Sequence, residues 1–245
     1  MKLVSLNVEG VVHVQRVLAF ITRERPDVLC LQEAGTPYQA LLQAEGYQVT
    51  FVPRCIRTHE GEEFTDGLLF ASLHPATVTP YNFYLPHEGV LQEHFDDVLE
   101  RNNTPGQILL GEVHLDGQTY HVGTTHFTWT KNGDIPGIAQ ESDMQEFLLL
   151  VSQFPPHVMC GDFNIPRASN RLYANLLTRY QDEIPATIKS SLDAEHHRLK
   201  DIPEKVHLLE RYMVDYIFSQ PGYTVRDVRQ VFGLSDHSAL VCEVG

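Results

Sequence analysis

Four short apolar runs, each tied to a polar motif, constrain this chain more than any other feature. Leu3-Val4-Ser5-Leu6 leads into Asn7-Val8-Glu9-Gly10, Val28-Leu29-Cys30-Leu31 into Gln32-Glu33, and His157-Val158-Met159-Cys160 into Gly161-Asp162-Phe163-Asn164. The fourth motif, Ser235-Asp236-His237, stands just before Ala239-Leu240-Val241-Cys242. Apolar runs of this length bounded by turn residues read as buried strands. Strand ends hold side chains rigidly at the lip of a sheet, so the four motifs can converge on one oxygen-rich site. Such a site suits a hard divalent cation, Mg²⁺ above all.

Between these runs the periodicity changes. Val14, Val17, Leu18 and Ile21 fall at helical spacing, which predicts an amphipathic helix from about His13 to Arg25, ended by Pro26-Asp27. A second helix is expected from Thr36-Pro37 to Gly46, with Pro37 in its first turn. Strands are expected near Gln48–Val52 and Gly67–Ser72, with Glu60-Gly61-Glu62-Glu63 as a solvated loop between them. Residues 82–106 show little periodicity, and a loop that long inside a compact domain is usually functional or mobile. Ile108–Leu115 and Thr119–Thr125 read as a hairpin around Asp116-Gly117 that delivers His126. A helix near Ile138–Gln153 precedes the Asp162 strand. Residues 168–212 read as mostly helical or irregular, and Val214–Ser219, Thr224–Phe232 and Ser238–Val244 as the last strands. Hairpins mixed with helices suggest stacked mixed sheets rather than a simple doubly wound fold. The motifs span the chain from Asn7 to His237, so one domain over residues 1–245 is expected.

The formal net charge is -14, which disfavours a wide, sequence-independent contact with a polyphosphate backbone. A nucleic-acid end in a local pocket is compatible with it; extended duplex binding is not expected. No apolar stretch is long enough to span a membrane, so no membrane insertion is expected. Cys30, Cys55, Cys160 and Cys242 form no CxxC pair and read as buried reduced thiols, which points to a reducing compartment, the cytoplasm.

Each polar residue has a chemical and a structural reading. Glu33 is a natural Mg²⁺ ligand at the end of its strand, or else a helix cap or surface charge. Gly161 permits a sharp turn, after which Asp162 and Asn164 project to one side, an acceptor beside an amide; the alternative is an Asx-turn before Pro166. Asp215, in Met213-Val214-Asp215-Tyr216, can orient the imidazole of His237, or be a buried group satisfied by backbone donors. His126 can donate to a phosphoryl oxygen, or be structural. His196-His197 reads as surface. Arg171, Tyr173, Lys189 and Arg198 are candidate substrate contacts in the segment without shared motifs. No Gly-rich phosphate loop, GxSxG elbow or HExxH is present.

Taken in order, Asn7, Glu33, His126, Asp162, Asn164, Asp215, Asp236 and His237 resemble the catalytic motifs of the endonuclease/exonuclease/phosphatase superfamily over nearly the whole chain. Asn7-Val8-Glu9-Gly10 is similar to the Asn-x-Asp-Gly opening of abasic-site endonucleases and tyrosyl-DNA phosphodiesterases, with Glu in place of Asp. Thr125-His126-Phe127 is closer to tyrosyl-DNA phosphodiesterases, sphingomyelinases and deadenylase-type members. The resemblance implies a four-layer α/β sandwich, two central mixed β-sheets flanked by helices. It implies a Mg²⁺-dependent phosphodiesterase, with Mn²⁺ as a substitute and a phosphoester as partner. Glu33, with Asn7, Glu9 and Asp236, would hold the metal. Asp162 would orient and help deprotonate the attacking water and Asn164 position that water or the phosphate, while His126 and His237 stabilise pentacovalent phosphorus and Asp215 orients His237. The rival readings are a phosphomonoesterase of a small sugar or inositol phosphate and a catalytically silent phosphate-binding module.

Overall fold

In the computed structural model, residues 1–86 and 88–245 are described; His87, inside the long segment 82–106, lies outside them. The chain runs β1 (Lys2–Gly10), α1 (Val14–Glu24), β2 (Val28–Gly35), α2 (Pro37–Ala44), β3 (Gln48–His59), β4 (Glu62–Ser72) and β5 (Ala76–Tyr84). It continues through β6 (Phe95–Asp96), β7 (Arg101–Asn102), β8 (Gly106–Leu115), β9 (Gln118–His126), α3 (Ile138–Val151) and β10 (Val158–Asp162). Last come α4 (Tyr173–Leu176), β11 (Gln181–Asp182), β12 (Asp215–Ser219), β13 (Val225–Val231) and β14 (Ala239–Val244).

Six strands form one sheet in the order β13-β14-β1-β2-β4-β3, and six form another in the order β11-β12-β10-β9-β8-β5. Each sheet has one parallel pair near its centre, β1 with β2 and β9 with β10, and antiparallel neighbours elsewhere. The two pairs pack across each other. Leu3, Cys30, Phe70, Cys160, Phe218 and Cys242 fall in the shared core, while Val4, Leu6, Leu29 and Leu31 face α1 and α2 through Val17, Phe20, Ile21, Tyr38 and Leu42. Strands buried on both faces read as continuous apolar runs, which is why the runs lack polar alternation. On the second sheet, Phe147 of α3 packs its ring against Phe83, Phe127 and Phe163. The layers are therefore helix, sheet, sheet, helix. At Gly111 of β8 the sheets come so close that a Cβ would lie 2.3 Å from the Phe70 ring.

Two differences from the sequence reading matter for the site. β3 runs through Pro53 to His59, and the expected loop at Glu60–Glu63 shrinks to a two-residue turn, Glu60-Gly61, with φ 50° and 85°. Two left-handed residues make the hairpin turn that matches strand twist, and Pro53 is tolerated because β3 is an edge strand. β5, an edge strand containing Pro80, was not expected; it and the short β6–β7 hairpin take up part of segment 82–106.

Candidate active site

The functional side chains gather at one end of both sheets, where regular pairing breaks down. Register shifts fall in β1 between Asn7 and Gly10, in β2 between Leu31 and Ala34, and in β3 between Pro53 and Cys55. Bulges of this kind re-aim side chains, and here they turn out Glu9, Glu33 and Arg54. Glu9, Glu33 and Asn164 are left-handed, with φ 52°, 51° and 53°. Each such residue costs on the order of 1–3 kcal/mol and persists only where surrounding structure holds it. In the second sheet, Gly161 has φ 134°, and a Cβ there would lie 2.0 Å from the Thr125 carbonyl oxygen. That approach brings Asp162 level with His126 on one side and Asp215 on the other.

Asn7 bridges the two sheets. Its Oδ1 accepts the Glu9 N–H at 3.2 Å, which fixes the amide so that Nδ2 donates to Glu33 Oε1 at 3.2 Å and Asp162 Oδ2 at 3.1 Å. Asn7 therefore turns N–H, not oxygen, toward the acids. Asp162 Oδ1 accepts the Asn164 N–H at 2.8 Å, and Asn164 Nδ2 donates to the Phe127 carbonyl at 3.0 Å. His126 Nε2 stands 3.7 Å and His237 Nε2 3.9 Å from the same Asp162 Oδ2, and His126 Nε2 is 3.8 Å from Glu33 Oε1. These distances exceed hydrogen-bond reach, so neither Nε2 is consumed by a protein partner.

The two imidazoles are held in opposite charge states. Arg54 donates to His126 Nδ1 at 2.6 Å, and a guanidinium can only donate, so the His126 proton is on Nε2. Burial, reinforced by Arg54, pushes His126 well below the usual imidazole range. His237 donates through Nδ1 to Asp215 at 2.7 Å. Burial opposes its charge, but Asp215 and Asp236 outweigh burial and hold His237 well above the usual range. At Glu33, burial also opposes the charge, and Arg57 wins, keeping the carboxyl well below the carboxylate range. Asp162 moves the other way: burial and then the nearby Asp215 raise it.

A cleft of about 910 Å³ opens over this floor and is lined by Glu9, Glu33, His126, Asp162, Asn164, Asp236 and His237. Arg198 lines it too. The other three candidate contacts stand elsewhere: Arg171 pairs with Glu141, the Tyr173 hydroxyl donates to Asp182 at 2.7 Å, and Lys189 donates to the Ala186 carbonyl at 2.6 Å. None of the three lines the cleft: Arg171 and Lys189 are exposed, and Tyr173 stacks on the buried Tyr216. His197, read from sequence as surface, instead has a side chain only 12% exposed and lines the cleft, with Nε2 4.0 Å from Asp236 Oδ2. It is buried because Asp193 N donates to the Asp236 carbonyl at 2.8 Å and pins its segment there. Arg54 and Arg57 were also missed; Arg57 pairs with Glu33, with Asp66 at 3.2 Å and with Glu93 at 3.1 Å.

The donor set fits a hard cation. Burial and the neighbouring Glu33 raise Glu9; at Asp236, burial outweighs the opposing His237, and Glu9 and Glu33 add to it, to about 6. Crowded carboxylates of this kind are relieved by a divalent ion bound through oxygen. Among the described residues, donor atoms of His197, Asp236 and His237 lie within 4.8 Å of one another. His237, a cation whose Nδ1–H donates to Asp215, carries its second proton on Nε2, and His197, whose Nδ1 accepts the Leu199 N–H at 3.1 Å, carries its one proton on Nε2. The donors that face the cleft without a proton are thus carboxylate oxygens, those of Glu33, Glu9 and Asp236, with Glu33 also held by Asn7 and Arg57.

The profile of the Endonuclease/Exonuclease/phosphatase family matches residues 4–237. No curated protein matches the chain in sequence. Among solved structures, the fold is similar to an endonuclease/exonuclease/phosphatase from Beutenbergia cavernae DSM 12333, with TM-score 0.71 and 21% identity over 100% of this chain and 71% of that one. It is similar to D. rerio TDP2 complexed with single strand DNA product, with TM-score 0.69, 18% identity, and 100% and 98% coverage. It is also similar to the human Nocturnin catalytic domain with bound sulfate anion, with TM-score 0.67, 19% identity, and 100% and 93% coverage. No helix among the described residues is long and apolar enough to cross a membrane.

Proposed function

Since the chain belongs to the Endonuclease/Exonuclease/phosphatase family, whose members are metal-dependent phosphoester hydrolases, we propose that it is a Mg²⁺-dependent phosphodiesterase, with Mn²⁺ able to substitute. The observation that carries this reading is the pair of Nε2 donors, one neutral and one cationic, directed at the same Asp162 oxygen at 3.7 and 3.9 Å. Asp162, its proton affinity raised by burial, takes the proton of the attacking water, and Asn164 and Asn7 hold its two oxygens in place. The His126 N–H and the His237 cation then stabilise charge on the phosphoryl oxygens, with Asp215 fixing His237. Glu33, with Glu9 and Asp236, would hold the metal, which polarises a phosphoryl oxygen and eases departure of the leaving oxygen.

A diester is favoured over a monoester because the cleft has organic walls. Trp129 and Phe95, with ring centroids 5.5 Å apart, line it beyond the polar floor, where a group esterified to phosphorus would rest. The relative solved with single strand DNA product supports including strand ends among the substrates. Four free, buried cysteines support a reducing compartment, the cytoplasm.

The test is hydrolysis of bis(p-nitrophenyl) phosphate by purified protein before and after chelation. Activity should vanish in chelator, return with Mg²⁺ or Mn²⁺, and leave a phosphomonoester as product. Full activity in verified metal-free protein would refute the metal-assisted reaction. Release of inorganic phosphate as first product from a monoester panel, with diesters untouched, would move the assignment to a monoesterase.

A further inference from the structure

The segment between α4 and β12 lies outside the polar motifs, yet it places two adjacent side chains at the edge of the reaction centre. His197 is one. Its Nδ1 accepts the Leu199 N–H at 3.1 Å, so its proton is on Nε2. That Nε2–H points into the cleft and has no hydrogen-bond acceptor among the described residues; Asp236 Oδ2, at 4.0 Å, is too far. Arg198 is the other. Six of the chain's 18 Lys and Arg line the cleft: Arg54, Arg57, Lys131, Arg198, Lys205 and Arg211. Arg54 is held by His126, Arg57 by Glu33, Lys131 by Asp97 and Arg211 by Asp134. Arg198 has no such partner among the described residues.

The pair is rigidly tied to the catalytic end of the fold. His197 N donates to the Asp193 carbonyl at 2.8 Å, and Asp193 N donates to the Asp236 carbonyl at 2.8 Å. Asp193 Oδ2 accepts the Gly233 N–H at 2.6 Å, and Leu192 bridges His237. The His197 and His237 rings are 6.0 Å apart between centroids. Two anion-seeking groups therefore line the cleft beside the floor, His197 next to the His237 ring and Arg198 adjacent to His197 in sequence.

A phosphodiester offers two unesterified oxygens. The Nε2–H groups of His126 and His237 meet the demand of these oxygens, and a cation held by Glu33 would add to the supply. His197 and Arg198 are surplus to that demand. Resting on the phosphodiesterase reading, we propose that His197 and Arg198 form a second anion subsite and that the substrate carries a further phosphate next to the scissile one. That phosphate belongs either to the next nucleotide of a strand or to a bisphosphorylated small molecule.

The experiment compares the p-nitrophenyl ester of thymidine 5′-phosphate with the same ester carrying a 3′-phosphate. Wild-type protein should prefer the second compound by about tenfold or more in kcat/KM, with the gain in KM. Arg198→Gln and His197→Phe should each lower that preference, and the double variant should reduce it to within about twofold of unity. A variant that only loosens the fold would slow both esters alike and leave the ratio intact. If wild-type protein turns over neither ester, the phosphodiesterase reading fails by itself. The subsite is then read by calorimetry with thymidine 3′,5′-bisphosphate and thymidine 5′-monophosphate at fixed Mg²⁺, the same loss of preference being expected in Kd. The source of the phosphate is read by repeating the measurement with a 5′-phosphorylated dinucleotide and with a sugar bisphosphate. An Arg198-dependent gain with either supports the subsite and names its occupant. A wild-type preference near unity for every pair, or a preference that survives in the double variant, overturns the proposal.

Discussion

His126 and His237 face one carboxylate oxygen from opposite sides, yet one is neutral and the other charged, because an arginine sits behind the first and an aspartate behind the second. The difference in partner, not in burial, decides the state, since both rings are buried. The Asp215–His237 pair should therefore act as a unit. His237→Ala is expected to slow turnover by on the order of 10²-fold or more, the scale of one lost transition-state donor. Asp215→Asn added to it should do little further harm, since cooperating residues are not additive. The four kcat values of wild type, both single variants and the double variant check this; additive losses would separate the two residues. Glu33→Gln keeps the shape but removes the ligand charge, so calorimetric Mg²⁺ affinity and turnover should fall together. The acids and amides at strand ends were visible in the sequence because apolar runs point to them. Arg54, Arg57 and His197 were not. The arginines lie within an edge strand, where a charged residue looks like ordinary surface, and Arg54 turns inward only through a bulge. His197 looks like half of a polar doublet, and its burial depends on a long-range bond to Asp236 that no local pattern encodes.

At the level of elements, pattern strength decided what was legible. α1 has a clear apolar stripe, and the Asp116-Gly117 turn carries the left-handed pair that hairpins require, φ 51° and 76°. β5 went unseen because it pairs only with β8 and contains Pro80, so it lacks the continuous apolar run of an inner strand. The tightest local constraint is the pairing of β9 and β10 at Gly161. Any side chain there meets the Thr125 carbonyl and an unfavourable φ of 134°. Gly161→Ala is expected to cost at least about 1–3 kcal/mol from backbone conformation alone. For a chain of this size each kcal/mol lowers Tm by about 2–4 °C. It should also displace Asp162 and suppress turnover beyond the loss of folded protein. Calorimetric scanning beside an activity assay checks both; an unchanged Tm would show that the two strands can part without cost.

The whole molecule answers to pH and salt through groups remote from one another. His157 begins the Asp162 strand at the end away from the cleft, donating to the Pro155 carbonyl and accepting from the Tyr180 hydroxyl, both at 2.8 Å. Burial disfavours its charged form and outweighs the Pro155 carbonyl, so its pKa is lowered on folding. The unfolded chain then binds this proton near the ordinary imidazole value of about 6.5 while the folded chain does not. Stability is therefore lost as pH falls below about 6.5, by up to about 1.4 kcal/mol per pH unit from this group. Urea denaturation at pH 7, 6 and 5 should show a shallower decline for His157→Gln than for wild type; equal slopes would remove His157 as a cause. Salt tests the charge layout. Four of the six cleft cations are held by protein partners, and Arg198 and Lys205 have none among the described residues, which leaves these two for a substrate. Binding of a strand end at fixed Mg²⁺ should follow a salt slope equivalent to about two phosphate contacts. A slope equivalent to about six would reveal a groove despite the net charge of -14.

Asn7 joins Glu33 of one sheet to Asp162 of the other, and His237 reaches that same Asp162 from the loop before β14. These partners are separated by more than two hundred residues of sequence, from Asn7 to His237. A ribosome must therefore release the stretch from Asn7 through His237 before the polar floor can exist at all. Partial products of synthesis, and fragments left by proteolysis, would carry individual motifs but no assembled centre. Assembly of the centre therefore waits on residues as far along the sequence as His237.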